Sequence, residues 1–266
     1  IKADLRVGAT GTTLVANNML SQIRAASTSS DFSGGIIAGG GTGSTTQIYA
    51  NTVSMSGARG AASFPSYGLA IGSGNPTVDV RDNIFYNTQT TSSTGKMYAI
   101  ANGSSTFTNM TSSHNDLVTT VGASFFVGQT GGLGTTGTDQ IDLLAWQTAT
   151  GQDTVGSVSV DPLLASASDL HLQVTSPMIN AGTALAPVTV DFDGDPRPLT
   201  TPDIGADEIV AGTLAFTSAT YSDGESAGTT TITVTRTGGS AGAVSIDYAT
   251  VGGGSATGGA SCGGAV

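Results

Sequence analysis

The chain has 266 residues, 19 acidic and 8 basic, and a formal net charge of −11. Lys2, Lys96 and six scattered Arg form no basic stripe, so a phosphate backbone is repelled and nucleic acid is excluded as a partner. Charged residues make up only 10% of the chain, Gly reaches 39 copies, and Ser and Thr recur throughout, which is the makeup of a turn-rich all-β extracellular protein.

The single cysteine, Cys262, excludes an internal disulfide and any cysteine metal site. No run of 18 apolar residues occurs, and no charged segment leads into an apolar one, so neither a membrane span nor a secretion signal is expected. The chain starts at Ile1 and reads as a mature or excised piece. Residues 39–44, GGGTGS, lack the Lys and the following helix of a phosphate loop, and no dinucleotide fingerprint or His-Glu-x-x-His string is found.

From the N-terminal end, four segments align: TLVANNMLSQ (13–22), IYANTVSMSG (48–57), VDVRDNIFYN (78–87) and TSSHNDLVTT (111–120). Asn18, Asn51, Asn83 and Asn115 share one position at spacings of 33, 32 and 32, and an apolar Leu20, Val53, Phe85 or Leu117 follows each two residues later. A second short apolar strand recurs between them: GGIIAGG (34–40), YGLAIGSG (67–74), MYAIANGS (97–104) and SFFVGQTG (124–131). Two strand signals per turn at this period cannot close hairpins with their sequence neighbours, whereas stacking like strands of successive repeats about 4.8 Å apart buries one face of each. The spacing therefore predicts a parallel β-solenoid. Each repeated Asn can bond the amide of the coil above and below and suits the left-handed turn between strands; the alternative is a row of amides facing a ligand.

The stretch TDQIDLLAWQTATG (138–151) breaks the repeat. It predicts a short helix over the solenoid, with Asp139 as N-cap, Gly151 as the C-terminal stop, and Ile141, Leu144, Ala145 and Thr148 on one face. Trp146, the only Trp, reads as its packing anchor, with a sugar-stacking platform as the alternative.

Beyond it, AWQTATGQD, SVSVDPLL, DLHLQVTSPMINAGT, VDFDGDPRP and PDIGADE resemble the closing segment of right-handed parallel β-helix proteins of the pectate-lyase-like superfamily. The variety it is most similar to is common in bacterial surface and secreted proteins with interchangeable C-terminal anchors. VDVRDNIFYN and SSHNDL resemble the coil consensus, so the likeness takes in residues 1–210. Residues 211–266 follow, where LAFTSATYSDGESAGTTTITVTRTGGSAGAVSIDYAT (214–250) resembles the first three strands of a Calx-β domain, an immunoglobulin-like sandwich frequent in surface adhesins. In it Thr231, Thr233 and Thr235 alternate with Ile232 and Val234, as a half-buried strand does.

The acidic run from Asp191 to Glu208 allows two readings. Asp191, Asp193 and Asp195 around a Gly turn supply the oxygen ligands that calcium prefers. Alternatively Arg197 pairs with Asp191, Asp193 or Asp203 and ties the last coil shut. The Calx-β resemblance further implies Glu225 as a calcium ligand. No cofactor is required otherwise.

Lyases on this fold need a cationic base beside carboxylates, and glycosidases need two or three neighbouring carboxylates. The candidates for such chemistry are Arg81, Asp82, Lys96, His114 and Asp116, with Asp79 alongside, on adjacent coils near one edge. Asp82 and Asp116 also fit turn positions, and His114 and His171 read as structural. The expectation is thus an all-β chain: a right-handed parallel β-helix (1–210) followed by a partial immunoglobulin-like sandwich (211–266). Its expected role is that of a non-catalytic extracellular or bacterial cell-surface component, structural or adhesive, able to join head to tail by strand complementation; the alternative is a polysaccharide-binding or polysaccharide-degrading protein.

Overall fold

In the computed structural model the described residues are 4–5, 11–26, 31–40, 43–210, 212–221, 228–239 and 244–245. Glu225, Ile246 and Cys262 lie outside them. The chain divides into two compact units, Ile1–Val210 and Ala211–Val266.

The first unit is a parallel β-solenoid of about four turns. Each coil contributes three strands: β1 (Asp4–Leu5), β2 (Gly11–Ala16) and β3 (Met19–Ser21); β4 (Ser33–Ala38), β5 (Ser44–Tyr49) and β6 (Thr52–Met55); β7 (Ser66–Ile71), β8 (Thr77–Arg81) and β9 (Ile84–Asn87); β10 (Met97–Asn102), β11 (Met110–Ser113) and β12 (Asp116–Thr119). A further strand, β13 (Phe125–Thr130), opens the next turn. Like strands stack into three sheets, β1-β4-β7-β10-β13, β2-β5-β8-β11 and β3-β6-β9-β12.

Three strands per coil replace the two that the apolar pattern suggests, because each Asn-bearing segment bends in its middle. The residue before the aligned Asn takes a left-handed backbone, with φ of 54° at Asn17, 51° at Ala50, 57° at Asp82 and 52° at His114. The aligned asparagines themselves stay outside that region. The sharp corner therefore belongs to their predecessors, a correction to the turn role expected of the asparagines.

Between corners the in-register strands carry apolar side chains inward in columns. Ile36, Leu69 and Ile100 stack in the first sheet, Val15, Ile48 and Val80 in the second, and Leu20, Val53, Phe85 and Leu117 in the third. Each fully buried member contributes about 1.5–3 kcal/mol of transfer free energy. The first and third sheets approach so closely that a Cβ at Gly35 would sit 2.3 Å from Val53 Cγ1. Outside the first sheet a second column of rings, Phe32, Tyr67, Tyr98 and Phe126, runs along the coils with centroids 5.1–5.6 Å apart.

The aligned asparagines form one continuous chain of amides. Asn18 Nδ2 donates to Asn51 Oδ1 at 2.8 Å, Asn51 Nδ2 to Asn83 Oδ1 at 2.9 Å, and Asn83 Nδ2 to Asn115 Oδ1 at 3.0 Å. Asn115 Nδ2 then donates to Asp153 Oδ1 at 2.9 Å, so the column ends on a carboxylate. Each amide also serves the backbone: Asn83 Nδ2 reaches the carbonyls of Ile48 and Arg81, and its Oδ1 accepts from Asn51 N–H.

The upper end of the solenoid is covered. Strand β14 (Thr138–Gln140) pairs antiparallel with β13, and the helix α1 (Leu143–Thr150) follows. Asp142, rather than Asp139, caps the helix, accepting from Ala145 N–H, and Gly151 ends it with φ 68°. Trp146 is fully buried and its Nε1 donates to Asp153 Oδ2 at 2.8 Å. A Cβ at Gly128 would lie 2.2 Å from the indole, so glycine there makes the seat for the ring. That single insertion sets the rotation of a two-turn helix and leaves Leu144 70% exposed, while Ile141 lies before the helix and is 71% exposed, against the apolar face expected for them. Among the described residues no helix is long and apolar enough to cross a membrane.

From Val158 the chain runs back as an irregular strap over the corners between the second and third sheets. Val158 bridges Asp116, Thr183 N–H reaches Asp82, Ala206 N–H reaches Thr52 Oγ1, and the Val190 carbonyl accepts from Asn17 Nδ2. The closing segment thus crosses all four coils and does not merely shut the last one. Leu185 and Val188 pack on Tyr49 and Ala50, and Leu172, Met178 and Ile204 on Ile84.

Within the second unit, β15 (Thr213–Phe216) and β16 (Val234–Thr237) form an antiparallel pair in which Thr213 faces Thr237. The strand expected from Thr231 begins only at Val234. This small sheet is what the described residues contain of the expected three-stranded fragment.

Removing one amide from mid-column strands several buried partners at once, each costing about 1–3 kcal/mol. Asn83→Ala is expected to destabilise the solenoid by about 3–4 kcal/mol in urea unfolding, and Asn18→Ala, at the less buried end, by about 1 kcal/mol. Equal effects at the two positions would contradict this order.

Candidate functional site

Arg81, at the end of β8, is locked on its own strand: its Nε and Nη2 donate to the two carboxylate oxygens of Asp79, both at 2.7 Å. The same Asp79 accepts from the Tyr49 hydroxyl at 2.6 Å. Asp82 occupies the left-handed corner and is buried, with both of its carboxylate oxygens 3.1 Å from Thr183 N and its carbonyl accepting from Gly205 N–H. Burial pushes its carboxyl up to about 7, against the pull of the Thr183 N–H and of Arg197 and Arg81.

His114 holds the same corner one coil higher. Its ring lies over Gly156, where a Cβ would come within 2.2 Å of Cδ2, and its Nδ1 is 3.2 Å from Ser113 Oγ. Burial, then Arg81, lowers its pKa. Asp116 is fully buried beneath the strap, accepts from Val160 N–H at 3.1 Å through Oδ1, and is pushed well above the usual carboxylate range by burial. Its Oδ2 has no hydrogen-bond partner among the described residues.

Lys96 belongs elsewhere. It precedes β10 on the first sheet, pairs with Asp139, and stands 5.1 Å from the centroid of Phe126. Asp139 also accepts from the Tyr98 hydroxyl, so this pair closes the outer ring column. The structure therefore gathers Arg81, Asp82, His114 and Asp116 along one corner but sets Lys96 on another face. The two buried carboxyls accept from strap backbone N–H groups.

In the strap, Asp191 is saturated by backbone donors: its Oδ1 accepts from Asp193 and Asp195 N–H at 2.9 and 2.8 Å, and its Oδ2 from Glu208 N–H at 3.0 Å. Asp191, Asp193 and Asp195 do not bring three ligand atoms within 4.8 Å of one another. Arg197 pairs with none of the three aspartates expected. Its Nη1 donates to Glu208 Oε2 at 3.1 Å and to the Asp203 carbonyl, and its Nη2 to the Gly205 carbonyl at 2.7 Å. Both partners of this ion pair are buried, and burial pushes the Glu208 carboxyl up to about 7. The sequence contains the pair, but the four residues between Asp203 and Glu208 form a loop whose direction no spacing reveals.

His171 is the residue that strand alternation undervalues. Leu170 and Leu172 turn inward, so His171 projects outward, with its Nε2 2.8 Å from Asp193 Oδ2 and its Nδ1 bonded to Asp169. Hydrogen bonding to Asp169 raises its pKa to about 9 in spite of desolvation, with Asp193 and Asp207 acting in the same direction. Among the described residues His171, Asp193 and Asp207 are the one cluster able to share an ion.

The third sheet carries a broad concavity. A groove of about 780 Å³ is lined by Tyr86, Thr88, Val118, Phe125, Val160 and Asp161, among others. A second of about 300 Å³, lined also by Ser54, Leu164 and Gln173, shares Tyr86, Thr88 and Asp161 with the first. Comparison with protein-family models, with curated proteins and with solved structures gave no match to this chain.

The raised pKa values have one sign for stability. Asp82 and Glu208 hold protons in the folded state that the unfolded chain releases near pH 4, so stability falls as pH rises from about 4 to 7. The contribution of His171 is complete below about 6.5 and is lost as pH rises through about 9. Thermal unfolding should therefore shift downward between pH 5 and pH 9. Asp82→Asn, which tolerates the left-handed corner, is expected to flatten the lower part of that slope and raise Tm at pH 8 by roughly 5 °C. An unfolding temperature that climbs toward pH 8 would contradict the assignment.

Proposed function

We propose that this chain is a non-catalytic structural or adhesive component of an extracellular surface. The observation that carries the reading is that its chemically capable side chains are tied into the architecture: Arg81 by Asp79, Asp82 by Thr183, Asp116 by Val160 and Lys96 by Asp139. A rod built on a continuous amide column and a parallel ring column suits a mechanical role. The low charge content and the resemblance of residues 138–209 to closing segments of pectate-lyase-like β-helix proteins support placement at a bacterial cell surface. The reading requires no cofactor.

The second unit suggests how copies join. Phe216, Ile232 and Val244 are each about half exposed, more apolar surface than a two-stranded sheet can cover. In the light of the Calx-β resemblance, strands of a neighbouring copy complete this sheet and give a head-to-tail fibre. A second reading, polysaccharide binding, is favoured by the groove over the third sheet, where the Tyr86 ring and the Thr88 and Asp161 oxygens supply the stacking face and hydrogen-bond partners that sugars use. Lys96 and Asp82 do not line that groove, whereas Val160, whose N–H Asp116 accepts, does.

Incubation with uronic-acid and neutral polysaccharides, with and without calcium, is expected to release no product, and electron micrographs of the purified protein to show rods or fibres. Turnover abolished by Arg81→Ala or Asp82→Ala would overturn the non-catalytic reading. Monodisperse particles, with residues 211–266 readily cleaved by protease, would remove the fibre. Retardation on a polysaccharide gel that is lost in Tyr86→Ala would establish the second reading.

A further inference from the structure

We propose that His171, Asp193 and Asp207 form a binding site for one divalent cation of the zinc class, which fastens three separate stretches of the strap to one another. One nitrogen or carboxylate oxygen from each residue lies within 4.8 Å of the others. A tetrahedral ion with bonds of about 2.1 Å needs its ligands about 3.4 Å apart. The 2.8 Å between His171 Nε2 and Asp193 Oδ2 therefore has to open by about 0.6 Å, which the exposed Asp193 side chain on its turn permits.

Two further features point to a ligand and not to a chance cluster. Asp207 is buried, and although its Oδ2 accepts from Leu172 N–H at 2.7 Å, its Oδ1 accepts no hydrogen bond from any described residue. This carboxylate thus has one oxygen fixed by backbone and one open to solvent beside the imidazole, where an ion can reach it. Behind the ring, Asp169 takes the Nδ1 hydrogen and thereby turns Nε2 toward Asp193 and Asp207, the arrangement in which a carboxylate orients a metal-binding histidine. The mixed donor set decides the ion: calcium and magnesium prefer oxygen alone, whereas an imidazole with two carboxylates suits zinc and its neighbours. Three protein ligands leave a fourth position for water.

The consequence is mechanical. His171, Asp193 and Asp207 stand 22 and 14 positions apart on an irregular segment held mainly by single hydrogen bonds, so an ion shared among them closes two loops of the strap at once.

The test is calorimetric titration of zinc chloride into the full chain at pH 7.5, where the ion must displace the proton that His171 holds below about pH 9, in a Cys262→Ser background so that the thiol takes no part. One ion per chain is expected, with a dissociation constant of about 10 μM or tighter. His171→Ala and Asp193→Asn, both at solvent-accessible positions, should each weaken binding at least tenfold, Asp169→Asn about tenfold, and calcium chloride should bind far more weakly than zinc. Zinc should also raise the unfolding temperature of the parent and leave that of His171→Ala unchanged. No heat of binding up to about 1 mM zinc, or an affinity that survives both ligand substitutions, would overturn the proposal. So would calcium binding as tight as zinc binding.

Discussion

A buried side-chain amide is tolerable only when its donors and acceptor are all met, and in this solenoid they can be met only by the coils above and below. Asn51 and Asn83 each take an N–H from one neighbour, give an N–H to the other, and hold backbone carbonyls with what remains. A one-residue slip between coils would break these bonds together and turn Val53, Phe85 and Leu117 out of the core. The column therefore fixes register, which apolar stacking alone leaves degenerate. Its end on Asp153 matters equally, because that carboxylate also accepts from Ser112, Ser157 and Trp146 and so joins the column to the cap.

The same constraint governs the surface. Corners must follow the column at every coil, so Asn17, Ala50, Asp82 and His114 take left-handed backbone regardless of their chemistry. Polar residues met in such corners are there first for geometry. The strap then runs along the row of corners, and its backbone N–H groups find acceptors in Asp82, Thr52 and Asp116. Side chains that look catalytic in isolation become the rivets between strap and coil.

Much of this was legible in the residues, and the limits are physical. The 32-residue period, the aligned asparagines, the apolar columns and the role of Trp146 follow from patterns that repeat, and repetition averages out local ambiguity. The third strand per coil was hidden because the bend falls inside a single apolar run such as IYANTVSM, where nothing but the left-handed residue marks it. The helix cap fell on Asp142 and not Asp139 because β14 uses residues 138–140 to cover the sheet edge. The strap resisted most. Its contacts join residues up to 173 positions apart and recur nowhere, so the pairing of Arg197 with Glu208 and the meeting of His171 with Asp193 and Asp207 leave no periodic trace.

Hydrogen exchange of the asparagine side-chain amides, followed by nuclear magnetic resonance, tests the column most directly. The account predicts that the Nδ2 hydrogens of Asn51, Asn83 and Asn115 exchange only through unfolding of the solenoid, with Asn18 faster. Exchange of the three inner amides at the rate of exposed asparagines would contradict it.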